Sequence, residues 1–182
     1  MSLYPVFLKL AGLPVVIVGG GTVAAGKLDG LLAAGAQVTV VAPAVRPEIR
    51  DRATVIEAAF RPTHLEGARW VVAAATPEVN REVAAAAAAR GLFVNAVDDP
   101  AAATAYLGGV VRRGDVEIAI STGGVAPALA GLLREALDAL LPDELERWID
   151  VAIAERTSWK RARVPMPERR PLLLRALERI YA

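Results

Sequence analysis

Short apolar runs and amphipathic stretches alternate along the first half of the chain. Val15–Val18 is a β-branched run between Pro14 and Gly19, which is typical of a buried strand. A helix is predicted over Thr22–Ala34 because apolar residues recur there at helical spacing. These residues are Val23, Ala24, Leu28, Leu31 and Leu32. Gly35 is placed to end the helix in the left-handed conformation. A further strand at Val38–Val41, stopped by Pro43, makes the start β-α-β.

The same alternation continues as far as Pro100. Ala53–Ala58 is a weak strand candidate, whereas Trp70–Ala75 and Leu92–Val97 are stronger ones. Between the last two, the alanine-rich segment Glu78–Arg90 is predicted to be a helix. Strands and helices of this size, joined by short connections, predict an α/β fold of the Rossmann type with a doubly wound parallel sheet.

The pattern changes after Pro100. Ala105–Val111 and Val116–Ser121 are predicted strands joined at residues 112–115, and apolar residues occupy every second position of the later one. This alternation is typical of an antiparallel hairpin with one buried face. A helix with Pro127 in its first turn should follow. Its apolar stripe consists of Leu129, Leu132, Leu133, Ala136, Leu137 and Leu140.

The C-terminal part is predicted to be helical. One helix should begin near Pro142-Asp143, and its apolar face consists of Leu145, Trp148, Ile149, Ala152 and Ile153. Three prolines, at 165, 167 and 171, are expected to interrupt the tail before a last short helix. That helix carries Leu173, Leu174, Leu177 and Ile180.

Composition and charge narrow the class of protein. Apolar residues make up 54% of the 182 residues, which is enough for a sizeable core. The formal net charge of +1 argues against nucleic-acid binding, and no stretch predicts a signal peptide or a membrane span. The chain has no cysteine, which excludes disulfides and thiolate chemistry and is consistent with the cytoplasm. We therefore expect a cytoplasmic protein that binds neither nucleic acid nor membrane.

A glycine-rich segment, Gly19-Gly20-Gly21-Thr22-Val23-Ala24, follows the first predicted strand and opens the first predicted helix. It fits the pattern G-x-G-x-x-G/A, in which the first glycine permits a tight turn and the second lets backbone approach a pyrophosphate. The last position, Ala24, lets helix and strand pack closely. Because a helix N-terminus also offers unpaired N–H groups to phosphate, the segment predicts a nucleotide site.

One element of a dinucleotide site is missing. Asp or Glu often ends the second strand and binds the adenosine ribose, but Ala42-Pro43-Ala44 stands there in this chain. Backbone atoms would have to serve instead. The residues themselves therefore leave the choice between NAD and NADP open.

Two carboxylates follow the strand at Leu92–Val97. Ligands of open α/β sheets bind outside the carboxyl ends of the strands, so a carboxylate at Asp98 is placed to take a proton from a substrate. The alternative is that Asp98 or Asp99 caps a turn before Pro100, and position alone favours this alternative.

Other candidate sites are weaker. Ser121-Thr122-Gly123-Gly124 precedes a helix and is a second candidate anion site, but position alone favours an ordinary capping loop. His64 is the only histidine, and we expect it to be a solvated surface residue. Asp, Glu and His do not cluster at metal-ligand spacing, so no metal site is expected.

Several motifs occur together in a fixed order. They are Tyr4–Leu10 before the first strand, Val18–Ala24, Lys27, Asn95–Asp98 and Ser121–Gly124. In this combination the chain resembles the precorrin-2 dehydrogenase family, which includes the N-terminal module of bifunctional siroheme synthases. The resemblance covers about residues 1–145 and is more specific than any single motif.

The resemblance implies an activity and a set of site residues. Members of the family oxidise precorrin-2, a tetrapyrrole, to sirohydrochlorin with NAD, and some also insert ferrous iron to give siroheme. The family's catalytic aspartate corresponds to Asp98, and its cofactor contacts correspond to Thr22, Val23, Pro43 and Ala44, beside the glycine loop. We assign Ser121, Thr122, Gly123 and Gly124 to substrate binding; the family's phosphorylation position is Thr122 here, where the family has Ser.

The resemblance also implies an intertwined homodimer in which the hairpin region joins two Rossmann domains. We accordingly divide the chain into an NAD-binding Rossmann domain (1–112), a dimerisation region (113–142) and a helical C-terminal region (143–182). Candidate partners for the carboxylates of the substrate are Arg112, Arg113 and Arg134, with solvated surface positions as the alternative. A non-catalytic NAD-binding regulatory module is the rival interpretation, because Rossmann domains host many functions.

Overall fold

The computed structural model describes residues 3–181 and consists of two compact units, which divide between Leu107 and Gly108. Three terminal residues of the predicted domains lie outside the described residues. They are Met1 and Ser2 at the start of the first domain and Ala182 at the end of the last. The three-part division by function at residues 112 and 142 stays a proposal.

Within residues 3–107, the first unit is a five-stranded parallel sheet with helices on both faces, as the sequence predicts. The strands are β1 (Pro14–Val18), β2 (Gln37–Val41), β3 (Thr54–Ile56), β4 (Trp70–Ala73) and β5 (Phe93–Ala96). Their order in the sheet is β3-β2-β1-β4-β5. Successive strands are added on one side of β1 as far as β3 and then on its other side from β4. The carboxyl ends of β1 and β4 therefore form the crevice where ligands of such sheets bind.

The two faces of the sheet are covered by different helices. The first unit contains α1 (Thr22–Ala33), α2 (Pro47–Arg50), a 3-10 turn (Pro62–Leu65) and α3 (Pro77–Ala88). Since side chains of a strand point alternately to the two faces, Ile17 of β1 lies in one core cluster with Leu28 of α1, and Val18 lies in the other with Val83 of α3. Burial on both faces explains the continuous apolar run of β1.

Helix α1 ends as predicted, but one residue of its predicted apolar stripe is exposed. Gly35 has a φ of 74°, and its N–H donates to the Leu32 carbonyl oxygen at 2.9 Å, which closes the helix as predicted. The prediction that Val23 lies on the buried stripe is wrong, because Val23 is 47% exposed in the first turn. The buried residues of α1 are Ala24, Leu28 and Leu31.

In residues 108–181, the second unit begins with an antiparallel hairpin and continues as helices. Strand β6 (Gly109–Arg113) pairs with β7 (Val116–Ile120), and the helices are α4 (Pro127–Leu140), α5 (Leu145–Ala162) and α6 (Met166–Glu178). Helix α4 packs on β6, and α6 packs on α5. Pro127 is in the first turn of α4, as predicted.

The hairpin is shifted relative to the prediction. Arg113 pairs with Val116, so the turn is Gly114-Asp115 alone, and Gly114 supplies the positive φ of 51° that the turn needs. The predicted strand start at Ala105 is wrong for a tertiary reason. The Ala105 carbonyl oxygen accepts a hydrogen bond from the Asn95 side chain at 2.9 Å, which ties this segment to the first unit.

The last helix begins earlier than predicted. Helix α6 starts at Met166, with Pro167 in its first turn, where a missing N–H costs nothing, and with Pro171 inside it. The Arg169 guanidinium donates twice to the Val164 carbonyl oxygen, at 3.0 and 2.9 Å, and so supports the turn before the helix. Among the helices of residues 3–181, none combines the length and the hydropathy that crossing a bilayer requires.

Candidate functional site

The glycine loop, Gly19–Gly21, joins β1 to α1 at the carboxyl edge of the sheet. A Cβ atom on Gly19 would lie 2.1 Å from the Ala74 carbonyl oxygen, and its φ of 130° also favours glycine. A Cβ atom on Gly20 would lie 2.1 Å from the Ala44 carbonyl oxygen. Neighbouring backbone therefore requires both glycines, because the loop packs between the segments that follow β2 and β4.

Gly21 is free of such contacts. No heavy atom of a neighbouring segment lies within 4 Å of the place where its Cβ would be, and its φ of −88° suits any residue. The packing of the described chain therefore does not require a glycine here. Open space beside the backbone is what a bound pyrophosphate needs, so Gly21 fits the ligand-facing position of the dinucleotide motif.

The start of α1 is suited to an anion. Gly21 is the N-cap residue, no side chain caps the helix, and the first turn holds no acidic residue. The first N–H groups of a helix have no partner within it, and the helix dipole is positive at this end. Thr22 and Val23 are exposed beside these groups. Phosphate would find both N–H donors and a favourable potential here.

The segment after β2 forms one wall of this site. The Arg46 N–H donates to the Gly20 carbonyl oxygen at 3.0 Å, which holds the segment against the glycine loop. Pro43 and Ala44 are exposed, and buried Ala42 stands at the strand end. At the end of β2, residues 42–44 offer backbone atoms and small apolar side chains in place of a carboxylate for the ribose, as the sequence indicates.

Arg46 and Glu48 form an ion pair on this wall that sequence reasoning missed. The guanidinium of Arg46 hydrogen-bonds the carboxylate of Glu48, and this bond lowers the pKa of the Glu48 carboxyl. Both side chains are about half exposed, so the pair contributes little to stability and can exchange partners. Neither residue belongs to the glycine motif, and no sequence signal marks the pair.

Asp98 follows β5 at the same edge of the sheet. The Val97 N–H donates to the Ala73 carbonyl oxygen at 2.9 Å, so the backbone leaves the sheet directly before Asp98. Asp98 is exposed and has a φ of 59°, in the left-handed region that Asp tolerates better than most residues. The edge thus carries an accessible carboxylate in a specified backbone conformation.

Asp99 differs from its neighbour. Its carboxylate accepts a hydrogen bond from the Ala102 N–H at 3.1 Å, and its carbonyl oxygen accepts one from the Ala103 N–H at 3.1 Å. Asp99 therefore caps a turn, which is the alternative role that the sequence offered for either carboxylate, but the turn contains Pro100 and does not precede it. The two adjacent residues are distinguished by their hydrogen bonds, not by their type.

Asn80 is a further residue that sequence reasoning missed. It lies in α3 and is 3% exposed. Its Oδ1 accepts from the Ala75 N–H at 2.9 Å, and its Nδ2 donates to the Val97 carbonyl oxygen at 3.3 Å. The available signal was a polar residue on the same helix face as the buried Val83 and Ala87.

The loop that carries Asp98 is closed at its base. The Val94 N–H donates to the Thr104 hydroxyl oxygen at 2.8 Å, and Asn95 Nδ2 donates to the Ala105 carbonyl oxygen at 2.9 Å. The Tyr106 hydroxyl donates to the Pro100 carbonyl oxygen at 2.8 Å. The loop is therefore held by side chains on both of its ends.

The segment Ser121–Gly124 lies in the second unit, before α4. The Ser121 Oγ accepts from the Gly123 N–H at 3.1 Å, and the Thr122 Oγ1 accepts from the Ala126 N–H at 3.3 Å. Both hydroxyls thus serve the local turn, as the capping-loop alternative requires. A substrate role for Ser121, Thr122, Gly123 and Gly124 stays a proposal.

The remaining polar candidates have partners in their own units. Each arginine considered for substrate is paired: Arg112 with Glu117 at 2.8 Å, Arg113 with Asp138 at 2.8 Å, and Arg134 with Glu135 at 3.1 Å. In the described part of the chain, no group of three or more His, Asp or Glu could hold a metal ion.

The expectation that His64 lies at the protein surface agrees with its partial exposure, although a short helical turn replaces the expected loop. It lies in the 3-10 turn and is half-buried beside Phe60. Its Nδ1 accepts a hydrogen bond from the Arg61 N–H at 3.1 Å. The imidazole therefore closes a local turn, which places it among the structural residues of the first unit.

Two family models match the chain. Residues 6–109 match the family described as "Putative NAD(P)-binding", and residues 113–140 match the one described as "Sirohaem biosynthesis protein central". The first match contains the glycine loop and Asp98, and the second contains β7 and all of α4.

Curated relatives and a solved structure are similar to the chain. "Siroheme synthase 1" of Aeromonas salmonicida is 43% identical over 184 aligned positions, which cover 97% of this chain and 39% of that protein. "Siroheme synthase" of Xylella fastidiosa is 40% identical over 176 aligned positions, which cover 93% of this chain and 37% of that protein. The chain thus spans about two fifths of these relatives. The structure named "SirC, precorrin-2 dehydrogenase" has a TM-score of 0.72 and 26% identity, and it covers 95% of this chain and 88% of that one.

Proposed function

Since the chain belongs to the NAD(P)-binding family that matches residues 6–109, we propose that it catalyses the NAD-dependent oxidation of precorrin-2 to sirohydrochlorin in siroheme biosynthesis. The observation that carries the proposal is one edge of the sheet. The glycine loop after β1 and Asp98 after β5 lie there with only β4 between them. The similarity to a precorrin-2 dehydrogenase over 95% of the chain supports the choice of substrate.

The residues of the first unit fit a dinucleotide. Gly21 and the N-terminus of α1 would hold the pyrophosphate, for the open space and the free N–H groups are there. Thr22 and Val23 would line the cofactor on one side, and Pro43 and Ala44 on the other. When bound, NAD supplies an acceptor for the hydride that leaves the tetrapyrrole.

Asp98 would take the proton. Oxidation of precorrin-2 by NAD removes a hydride and a proton, and the proton needs an acceptor near the reacting carbon. The Asp98 carboxylate is accessible, whereas the Asp99 carboxylate is occupied by the Ala102 N–H. Asp98 is therefore the base in the proposed reaction, and Asp99 supports the loop.

A homodimer is part of the proposal. Leu132 and Leu140 of α4 are 63% and 78% exposed, although the sequence places them on one apolar stripe. The side of α4 that faces β6 is instead occupied by Ala130, whose carbonyl oxygen lies 3.1 Å from the Cβ position of Gly109. An apolar stripe left open by its own chain favours a second copy as its cover. We further propose that the enzyme works in the cytoplasm.

The direct test uses the purified chain with precorrin-2. NADH absorbance should rise with NAD, and a parallel reaction with NADP reports the preference for the dinucleotide. NAD binding without any turnover of precorrin-2 would contradict the proposal and favour a regulatory module. A second assay supplies ferrous iron and sirohydrochlorin to the same preparation and monitors the siroheme spectrum, which tests the iron insertion that the family resemblance implies for some members.

A further inference from the structure

Asn80 joins the two loops that carry the candidate site. Its Oδ1 accepts from the Ala75 N–H at 2.9 Å, and its Nδ2 donates to the Val97 carbonyl oxygen at 3.3 Å. The residue is almost fully buried, so both contacts are shielded from water. A carboxamide suits this place because it offers an acceptor and a donor at once.

The contact to Ala75 leads to the glycine loop. Ala75 follows Ala74, whose carbonyl oxygen lies against Gly19. The Ala74 N–H also donates to the Val18 carbonyl oxygen at 2.8 Å. Asn80 therefore holds the segment against which the first glycine of the loop packs.

The contact to Val97 leads to Asp98. The Val97 N–H donates to the Ala73 carbonyl oxygen at 2.9 Å, and the Val97 carbonyl oxygen accepts from Asn80. Both backbone polar groups of the residue before Asp98 are thus bonded. Asp98 itself has a φ of 59°, in the left-handed region that Asp tolerates better than most residues, and it directly follows this bonded backbone.

We propose that Asn80 is a positioning residue for the dehydrogenation, which holds the Asp98 carboxylate at a fixed place relative to the glycine loop. The inference rests on the proposed role of Asp98 as the base. Hydride and proton must leave one substrate, so the carboxylate and the cofactor loop have to keep a fixed separation. A displacement of about 1 Å at such a group can lower the rate on the order of a hundredfold.

Asn80→Asp separates the two contacts of the side chain. At a pH where its carboxylate is ionised, the variant keeps the shape and an acceptor for the Ala75 N–H, but it places an acceptor against the Val97 carbonyl oxygen. We expect kcat to fall roughly ten- to a hundredfold. The affinity for NAD, measured by calorimetry, should stay within about threefold of the parent because the contact on the glycine-loop side is kept.

Val83→Ala is the matched control. Val83 lies one turn further along α3, is fully buried and packs in the core under the sheet. Its truncation should lower the midpoint of thermal unfolding at least as much as Asn80→Asp does. Its kcat should stay within about twofold of the parent. Equal losses of kcat in the two variants would overturn the inference. They would show that kcat falls because the fold is less stable and not because Asp98 is displaced.

A double-mutant cycle with Asp98→Asn is the decisive measurement. If Asn80 acts through the Asp98 carboxylate, Asn80→Asp should lower kcat by less than about twofold in the Asp98→Asn background. The inference would be overturned if the fold loss of kcat in the double variant equalled the product of the losses in the two single variants. An unchanged kcat in the single variant Asn80→Asp would also overturn it. Asn80→Ala lacks both contacts and adds no charge, so it serves in the same cycle if Asn80→Asp does not fold.

The cycle also distinguishes this inference from the proposed function. Full dehydrogenase activity in Asp98→Asn alone would refute the proposed role of Asp98, and the positioning role of Asn80 with it. A large loss in Asp98→Asn, together with parent-like kcat in both Asn80 variants, would refute only the role of Asn80.

Discussion

Gly20 lies so close to Ala44 that a Cβ atom at residue 20 would come within 2.1 Å of the Ala44 carbonyl oxygen and 2.9 Å of the Val45 Cα. Both obstacles are backbone atoms, so a side chain can be accommodated only if the segment after β2 moves. Gly20→Ala should therefore lower the free energy of unfolding by about 2–3 kcal/mol and weaken NAD binding. Urea unfolding and calorimetry measure the two effects, and parent-like stability would show that the segment yields easily.

Gly21→Asp should weaken NAD binding without lowering the free energy of unfolding. Open space surrounds this position and Asp is a better N-cap than Gly, so the free energy of unfolding should stay the same or rise by a few tenths of a kcal/mol. The added carboxylate would repel the pyrophosphate and should weaken NAD binding roughly a hundredfold.

Gly21→Asn is the matched control for that experiment, because it adds nearly the same volume without the charge. Its affinity for NAD should fall less, and the difference between the two variants should shrink as salt is added. If Gly21→Asp binds NAD as the parent does, the pyrophosphate does not lie at this helix N-terminus.

Asp98→Asn should lower the kcat of precorrin-2 oxidation about a hundredfold or more and leave NAD affinity near that of the parent. Asn suits this test because it tolerates the left-handed conformation of residue 98 and removes only the base. Asp99→Asn keeps an oxygen for the Ala102 N–H and should retain most of the activity. A larger loss in Asp99→Asn would mean that the segment is right and the carboxylate is wrong.

The Arg46–Glu48 pair should influence the choice of dinucleotide. Arg46 lies on the wall that the fold uses for the adenosine ribose, but Glu48 neutralises it, and the lowered pKa keeps that carboxylate ionised at neutral pH. Glu48→Gln should release the guanidinium for a 2′-phosphate and raise NADP affinity roughly three- to tenfold, with NAD affinity unchanged. In Arg46→Gln this gain should be absent, and a gain that persists would exclude Arg46 as its source.

The exposed stripe of α4 should hold the proposed dimer together. Leu132→Glu places a charge on that stripe and should shift the chain to a monomer in sedimentation at micromolar concentration, with the helical content unchanged. Phe93→Glu, an equally exposed apolar site on β5, is the control and should leave the mass of the dimer unchanged. A parent chain that sediments as a monomer at every concentration would exclude the dimer.

Local patterns in the sequence determined the order of the elements and the kind of site. The β-branched run of β1, the helical spacing of Ala24, Leu28 and Leu31, and Gly35 after them depend on residues within a few positions of each other. The glycine motif is equally local, since a strand, a tight turn and a helix start follow one another directly. Such features are encoded by short-range geometry, and the structure keeps them.

Tertiary structure decided the individual roles. Gly20 and Gly21 are neighbours of one type, yet the backbone of Ala44 excludes a side chain only at the first. Asp98 and Asp99 are equally alike in sequence, and only the folded turn at Ala102 engages one of them.

The part played by Asn80 likewise required the fold. The Asn80 side chain contacts Val97, which is 17 positions away in the chain, and both residues reach that contact only because β4 and β5 lie side by side. The sequence by itself therefore determined which segments form the site. Contacts between segments distant in the chain decided the role of each site residue. Hydrogen bonds and close packing depend on positions in space, which no local sequence pattern records.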